Sequence, residues 1–336
     1  MTSKARVAAA AQGISPDKIP FMPTIIEHAA FLIGQTPSAV AGQASLMAQA
    51  HIEAYRRYCP DTVTVGIDVY NIEAEALGCQ VRFYDDASIP GIVSHPLTLE
   101  DGFNRIEFSP NLGRIGLMLD AASKVKQAIG NEVNVGLGIC GPFSIMIELL
   151  GFETAIGALY DDDERVKHLL AALLQFQSGY CNEIVARGLG VTVFESWASP
   201  PLISPEMYRQ FVFPYEKELF THLKQLGLSA RPLIIGGNTW DIVDSILDTG
   251  STLLVSDYNT PLPLYIEKAK EKHILVRANI DPKLVQKGAW EEISLRIKEI
   301  HDQAKTYPRL VAGTGVIPYD TPSENILQVK RLLEIK

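Results

Sequence analysis

The stretch Thr252-Leu-Leu-Val-Ser-Asp257 holds apolar residues without alternation and is closed by an acid. A strand with one wet face alternates apolar and polar residues. A continuous apolar run marks a strand covered on both faces, which is the habit of parallel sheets. Seven more runs of this kind can be read outward from it: Phe21–Ile25, Thr62–Asp68, Val133–Ile139, Val191–Ser196, Pro232–Gly236, Ile274–Ile280 and Leu310–Gly313. They are rich in Val and Ile and end on Gly, Asn, Asp or Ser. Mostly helical patterns lie between them. Eight such units predict an α/β chain folded as a (β/α)8 TIM barrel.

Helices are expected over Pro37–Tyr58, Asp161–Arg187, Ser204–Leu226 and Ala289–Thr306, where apolar residues recur every three or four positions. Ser204-Pro-Glu-Met joins a capping serine to a proline at the first helical position, and Thr321-Pro-Ser-Glu repeats that signal near the end of the chain. The acidic run Tyr160-Asp-Asp-Asp-Glu-Arg165 reads as the opening of a helix, where carboxylates meet the positive end of the dipole. Residues 1–12 read as an N-terminal helical extension. Between Gln80 and Pro96 the pattern shortens to that of a hairpin inserted after the second barrel strand. With no repeat, low-complexity tract or long linker, residues 1–336 read as one domain.

The 336 residues are 47% hydrophobic, enough for a large core, and carry a formal charge of -9. No dense Lys/Arg cluster offers a phosphate-backbone footprint, so no nucleic-acid partner is expected. No apolar stretch reaches the roughly 20 residues that span a bilayer, so no membrane partner is expected either. Cys59, Cys79, Cys140 and Cys181 are widely spaced without a CxxC. That pattern argues against a zinc knuckle or disulfide scaffold and fits a reducing, cytoplasmic setting.

In a barrel of this type the chemistry sits at the C-terminal ends of the strands. That rule selects Glu27 and His28 after the first strand, and Asp68, Tyr70, Asn71, Glu73 and Glu75 after the second. It adds Cys140 and Glu148 after the third, and Glu195, Ser196 and Trp197 after the fourth. The remaining strands offer Asn238, Asp257, Asn279 with Asp281, and Thr314. His28 is the one histidine of seven at a strand end, while His51, His168 and His222 lie in helical patterns and read as surface residues. His28 reads equally well as a hydrogen-bonded structural residue. Asp68 reads as a site carboxylate or as the cap of the next helix. Glu73 and Glu75, two positions apart, point different ways on a helix. Glu195 ends an apolar strand, where a charge must be used or paired, and burial there would raise its pKa toward a general acid. A salt bridge inside the barrel is the alternative. Cys140 reads as a small buried apolar residue, and Gly236-Gly237 lets backbone approach a ligand closely.

Several longer stretches resemble the uroporphyrinogen decarboxylase superfamily. They are Asn71-Ile-Glu-Ala-Glu-Ala-Leu-Gly-Cys79, Gly141-Pro-Phe-Ser-Ile-Met-Ile-Glu148, Glu195-Ser-Trp-Ala-Ser-Pro-Pro201, Arg231-Pro-Leu-Ile-Ile-Gly-Gly-Asn-Thr-Trp240 and Gly313-Thr-Gly-Val-Ile-Pro-Tyr319. The resemblance covers most of the chain and implies the (β/α)8 fold. In the thiol-methylating branch the fourth of these stretches reads His-x-Cys-Gly-Asn-Thr, and its His and Cys, with a later Cys, bind zinc. This chain has Ile234, Gly236 and Thr314 there. True decarboxylases carry an Arg-x-x-Gly-Arg segment where this chain has Ile26-Glu27-His28-Ala29. Their key aspartate corresponds to Asp68, their tyrosine to Glu148 and their C-terminal histidine to Thr314. The spelling Glu73-Ala-Glu75-Ala-Leu-Gly looks more like the methyltransferase branch.

The resemblance therefore implies a corrinoid-dependent methyltransferase on the methyl-donor side, demethylating a methoxylated small molecule. The cobalamin would be carried by a partner protein docking on the barrel mouth. Zinc is left open, because the family ligands are absent. His28, Asp68, Glu148 and Glu195 are the catalytic candidates, with Glu195 or His28 as the acid that assists the leaving group. Tyr70, Asn71, Trp197, Asn238, Asn279 and Thr314 are the substrate-binding candidates. Two other readings stay open. One is a decarboxylase of a non-porphyrin acid, with Arg277 as the carboxylate clamp. The other is a non-catalytic ligand-binding homologue.

Overall fold

The structure is a computed structural model, which describes residues 1–100, 103, 106–161 and 163–335. Among the described residues ten strands form in chain order: β1 (Phe21–Thr24), β2 (Thr62–Val65), β3 (Val81–Arg82), β4 (Gly91–Ile92), β5 (Asn134–Cys140), β6 (Gly190–Phe194), β7 (Leu233–Ile234), β8 (Leu253–Ser256), β9 (Leu275–Ile280) and β10 (Leu310–Val316). Two parallel four-stranded ladders run in the orders β1-β10-β9-β8 and β2-β5-β6-β7. Backbone bonds stitch their edges together, from Asp61 N to Phe21 O at 2.8 Å and from Thr252 N to Arg231 O at 3.0 Å. The eight expected barrel strands are all present. β3 and β4 pair antiparallel as the inserted hairpin.

Side chains alternate along each strand between the barrel interior and the surrounding helices. At the base of the interior, Leu253, Val255, Leu275 and Val311 pack with Met22 and Ile234, and Ala10 of the N-terminal helix Ser3–Gln12 closes them from below. The larger core lies between the strands and the helices.

The expected helices form with local breaks. The 37–58 pattern divides into Pro37–Ala41 and Ala44–Tyr58. The long acidic-led helix is Asp163–Ala186, preceded by the unexpected Phe152–Asp161. The helix after β6 widens by one residue over Tyr208–Val212 before Phe213–Gln225. Pro214 has no N–H to continue the regular ladder there. Ser204 caps as expected, its Oγ accepting from Met207 N at 3.2 Å. Thr321 does not cap: its hydroxyl donates to Pro318 O, and the helix Ser323–Glu334 starts without a side-chain cap.

Among the described residues no single helix is long and apolar enough to cross a membrane. The apolar pair Pro142–Leu150 and Phe152–Asp161 turns by 110°. All four cysteines are free.

Candidate active site at the barrel mouth

Two inward-facing glycines organise the C-terminal end of the barrel. A β-carbon on Gly236 would lie 3.9 Å from both Asp257 Oδ2 and Ser196 Oγ, so the missing side chain leaves a space that those two groups border. A β-carbon on Gly313 would overlap Arg277 Nε and lie 2.8 Å from Asn279 Oδ1. The glycines thus join three groups of side chains into one arc.

The first group lies over β5 and β6. Tyr70 OH accepts from Ser196 N at 3.1 Å. Trp197 Nε1 donates to Glu148 Oε1 at 2.8 Å, and the indole packs on Phe152 with ring centroids 5.5 Å apart. Glu148 stands on the helix Pro142–Leu150, about two turns beyond the end of β5. Burial raises the Glu148 carboxyl above its ordinary value, against the lowering by the indole N–H and by His95. It is half-buried, and Oε2 makes no hydrogen bond among the described residues.

The second group centres on Asp257. Its carboxylate accepts from Gly237 N at 2.8 Å, Tyr258 N at 2.9 Å and Asn279 Nδ2 at 3.2 Å. Three donors fix a carboxylate as an acceptor. Gly237 turns back toward it with a φ of 78°, a conformation that suits glycine. Asn279 Oδ1 is buried without a partner.

The third group joins β9, β10 and β1. Arg277 Nη2 donates to Thr314 O at 2.8 Å and also to Thr24 Oγ1. Thr314 Oγ1 accepts from Thr24 N at 3.2 Å. Asn238 turns outward, exposed, with Oδ1 accepting from Trp240 N at 3.1 Å.

Three of the expected catalytic residues lie elsewhere. Glu195 has the parity of Val191 and Val193 and points out of the barrel into the helix layer. Its Oε1 accepts from Ser144 N at 2.6 Å, at the start of Pro142–Leu150, and it is fully buried. There it forms a buried group with Glu73 and Glu216. Glu73 Oε1 accepts from Cys140 N and Gln177 Nε2, both at 2.9 Å, and Glu216 accepts from Tyr208 OH. Burial pushes Glu73 and Glu195 up to about 7, and Glu216 well above its ordinary value. Glu195 is therefore a buried acid in the wall of the barrel rather than at its opening.

His28 lies in the helix Glu27–Leu32, fully buried. Nδ1 meets Tyr319 O at 2.9 Å and Nε2 meets Tyr58 OH at 2.8 Å, which engages both ring nitrogens. Burial lowers its pKa and favours the neutral ring. Asp68 neither faces the arc nor caps a helix. Arg114 donates to it from Nη1 at 3.0 Å and Nη2 at 2.7 Å, and from Nε to Glu75. Asn71 Nδ2 completes the knot, donating to Asp68 Oδ2 at 3.0 Å and to Pro90 O of the hairpin segment at 2.6 Å. Glu73 and Glu75 do diverge, one inward and one to Arg114. His51 is not a surface residue: it is buried, and its Nε2 lies 3.1 Å from Gly66 N.

Sequence reading missed Arg114, Glu216, Gln177 and Thr24. Arg114 lies 46 positions from Asp68 in a connection with no strand signal. Zinc does not fit at the corner formed by Ile234, Gly236 and Thr314. Ile234 belongs to the apolar base, Gly236 has no side chain, and the Thr314 hydroxyl is taken by Thr24 N. Among the described residues no group of three or more His, Cys, Asp or Glu is arranged to hold a metal.

A parallel eight-stranded barrel with polar groups gathered at the strand ends is the frame of many enzymes. The uroporphyrinogen decarboxylase (URO-D) family model matches residues 2–333, and the chain belongs to that family. It is 26% identical over 269 residues to the methylcobamide:CoM methyltransferase MtbA of Methanosarcina acetivorans, covering 79% of this chain and 77% of that protein. The MtbA of Methanosarcina mazei gives the same figures: 26% over 269 residues. A uroporphyrinogen decarboxylase from Thermodesulfovibrio yellowstonii is 25% identical over 238 residues, 68% of this chain and 66% of that protein. A solved methyltransferase from Methanosarcina mazei has the same fold, with a TM-score of 0.85 and 20% identity over 99% of this chain and 98% of that one.

Proposed function

We propose that this chain removes a methyl group from the oxygen of a small methoxylated molecule and passes it to a corrinoid held by a partner protein. The observation that carries the reading is a pair of facts at one place. The chain is similar to methylcobamide:CoM methyltransferases, and the zinc-ligand positions of the thiol-methylating branch hold Ile234, Gly236 and Thr314. Thiol activation lacks its ligands, which leaves the donor half of methyl transfer.

The reduced corrinoid, when docked, would supply the nucleophile that takes the methyl group. The methyl–oxygen bond breaks, its electron pair stays on oxygen, and that oxygen needs a proton. Glu148 replaces Glu195 and His28 as the acid in this reading, because its carboxyl is half-buried, shifted toward the protonated form and free at Oε2. Trp197 holds Glu148 in place and offers an aromatic face to the substrate. Asp257, held by three donors, and Asn279 would orient the substrate's polar groups.

Exposed apolar side chains on connections that follow strand ends suit the docking of a partner over the mouth. They include Phe31, Phe83, Ile89, Val93, Leu202 and Val316. The test is to mix the chain with a reduced corrinoid protein and a panel of methyl ethers, following the absorbance of the methylated corrinoid. Methylation with at least one ether supports the reading, and none across a broad panel removes it.

A further inference from the structure

We propose that the barrel interior contains a carboxylate subsite centred on Arg277, so that the substrate is a small carboxylic acid. This rests on the reading of the mouth as the place of methyl transfer and names the chemical class of the molecule that enters it.

A narrow cleft with about 50 Å³ of free space runs along the seam between β1 and β2, where the strands form no ladder. Arg277 is the only Lys or Arg among its lining residues, which include Thr24, Thr62, Thr64 and Thr192. The guanidinium is aimed by Nη2, which donates to Thr24 Oγ1 and Thr314 O. Nε is buried without a partner, and Nη1 makes no hydrogen bond among the described residues. Gly313 makes this position possible, since any β-carbon there would overlap Nε.

Among the described residues no carboxylate forms an ion pair with Arg277. The acid that acts on it electrostatically, Asp257, is committed to Gly237, Tyr258 and Asn279. Burial lowers the Arg277 pKa to about 10, which leaves the group cationic at neutral pH. An uncompensated cation in an apolar barrel is costly unless an anion meets it. The Thr24 hydroxyl donates to Thr314 O, which leaves the hydroxyls of Thr62, Thr64 and Thr192 on the same walls to meet a ligand; Thr64 and Thr192 face each other with Oγ1 atoms 3.5 Å apart. One cation without a glycine-rich loop matches a monoanion rather than a phosphate. Arg277 and Asn279 share one face of β9, so a carboxylate seated on Arg277 lies one inward position below Asn279 and its partner Asp257.

The experiment is calorimetric titration of the full chain, without corrinoid protein, using acetate, methoxyacetate, benzoate and 3-methoxybenzoate. The matching amides and inorganic phosphate serve as comparisons. At least one acid should bind, with its amide about tenfold or more weaker. Arg277→Gln should lose that preference, and Arg277→Lys should keep part of it. Gly313→Ala should weaken acid binding by displacing the guanidinium while Arg277 is retained. Thermal melts identify any variant that has not folded, and Arg277→Lys then carries the comparison. No binding of any acid at millimolar concentration, equal binding of acid and amide, or tighter binding of phosphate would overturn the proposal. Acid binding without methyl transfer would sink the proposed function and leave the subsite standing. Equal turnover of charged and uncharged ethers would do the reverse.

Discussion

Glu195 lies directly over Gly141: a β-carbon on that glycine would overlap Glu195 Oε2 and its carboxyl carbon, and would sit 2.9 Å from Oε1. Gly141 precedes the helix Pro142–Leu150, whose Ser144 N–H is bound by the same carboxyl. One glycine thus admits a buried acid to the start of a helix. Gly141→Ala is expected to destabilise the chain by about 1–3 kcal/mol through overpacking. In the Glu195→Ala background the same change should cost much less. Denaturation midpoints of the four chains check this, and additive effects would contradict the contact.

Glu73 and Glu195 stand near 7 in the folded chain, against an ordinary 4.5. Their folded pKa is raised, so the folded state favours the protonated form. The stability they contribute is fully present below about pH 4.5 and is lost as pH rises to about 7. The loss is on the order of 3 kcal/mol at most for one such group. Urea denaturation across that range should show falling stability that levels off at higher pH. Glu73→Gln with Glu195→Gln should flatten the slope, and an unchanged slope would mean that these carboxyls are ionised throughout.

Arg114 holds Asp68 through two nitrogens, with the acid at 3% exposure and the base at 7%. Arg114→Met should cost about 3–5 kcal/mol, because it leaves a buried carboxylate unpaired. Adding Asp68→Asn should recover part of that loss. A single-variant loss below about 1 kcal/mol would show the pair to be solvated.

If Glu148 protonates the leaving oxygen, Glu148→Gln should lower turnover by about 10²–10⁴-fold while leaving substrate affinity close to its original value. Activity of the unaltered protein should fall as pH rises through the raised Glu148 pKa. Trp197→Phe removes the N–H that stabilises the carboxylate, so this limb should move to higher pH. A pH–rate profile in which the limb stays in place in the Trp197→Phe variant would assign it to another group.

The architecture was legible because its causes are local and repeated. Continuous apolar runs identify strands such as Leu253–Ser256 and Leu275–Ile280, and the Gly-rich ends mark where each chain segment turns. The site was only partly legible. The structure brings Trp197 to Glu148, Tyr70 to Ser196, Asn279 to Asp257 and Thr314 to Arg277, and it commits Glu195, Asp68 and His28 to buried partners in other parts of the fold. A strand-end position fixes how far along the barrel a residue sits. It does not fix whether the side chain faces the interior or the helices, because a shift of one residue reverses the side.

Sequence by itself determined the eight-stranded parallel frame and the inserted hairpin, since these depend on residue type and short-range periodicity. Tertiary structure alone decided which charges meet. Arg114 finds Asp68 across 46 positions, Glu216 joins Glu195 from a different helix, and Asp257 accepts from Gly237, Tyr258 and Asn279 while Arg277 donates to Thr24 and Thr314. Burial and pairing arise only when distant segments pack together, and they set which acid favours its neutral form and which is locked in an ion pair.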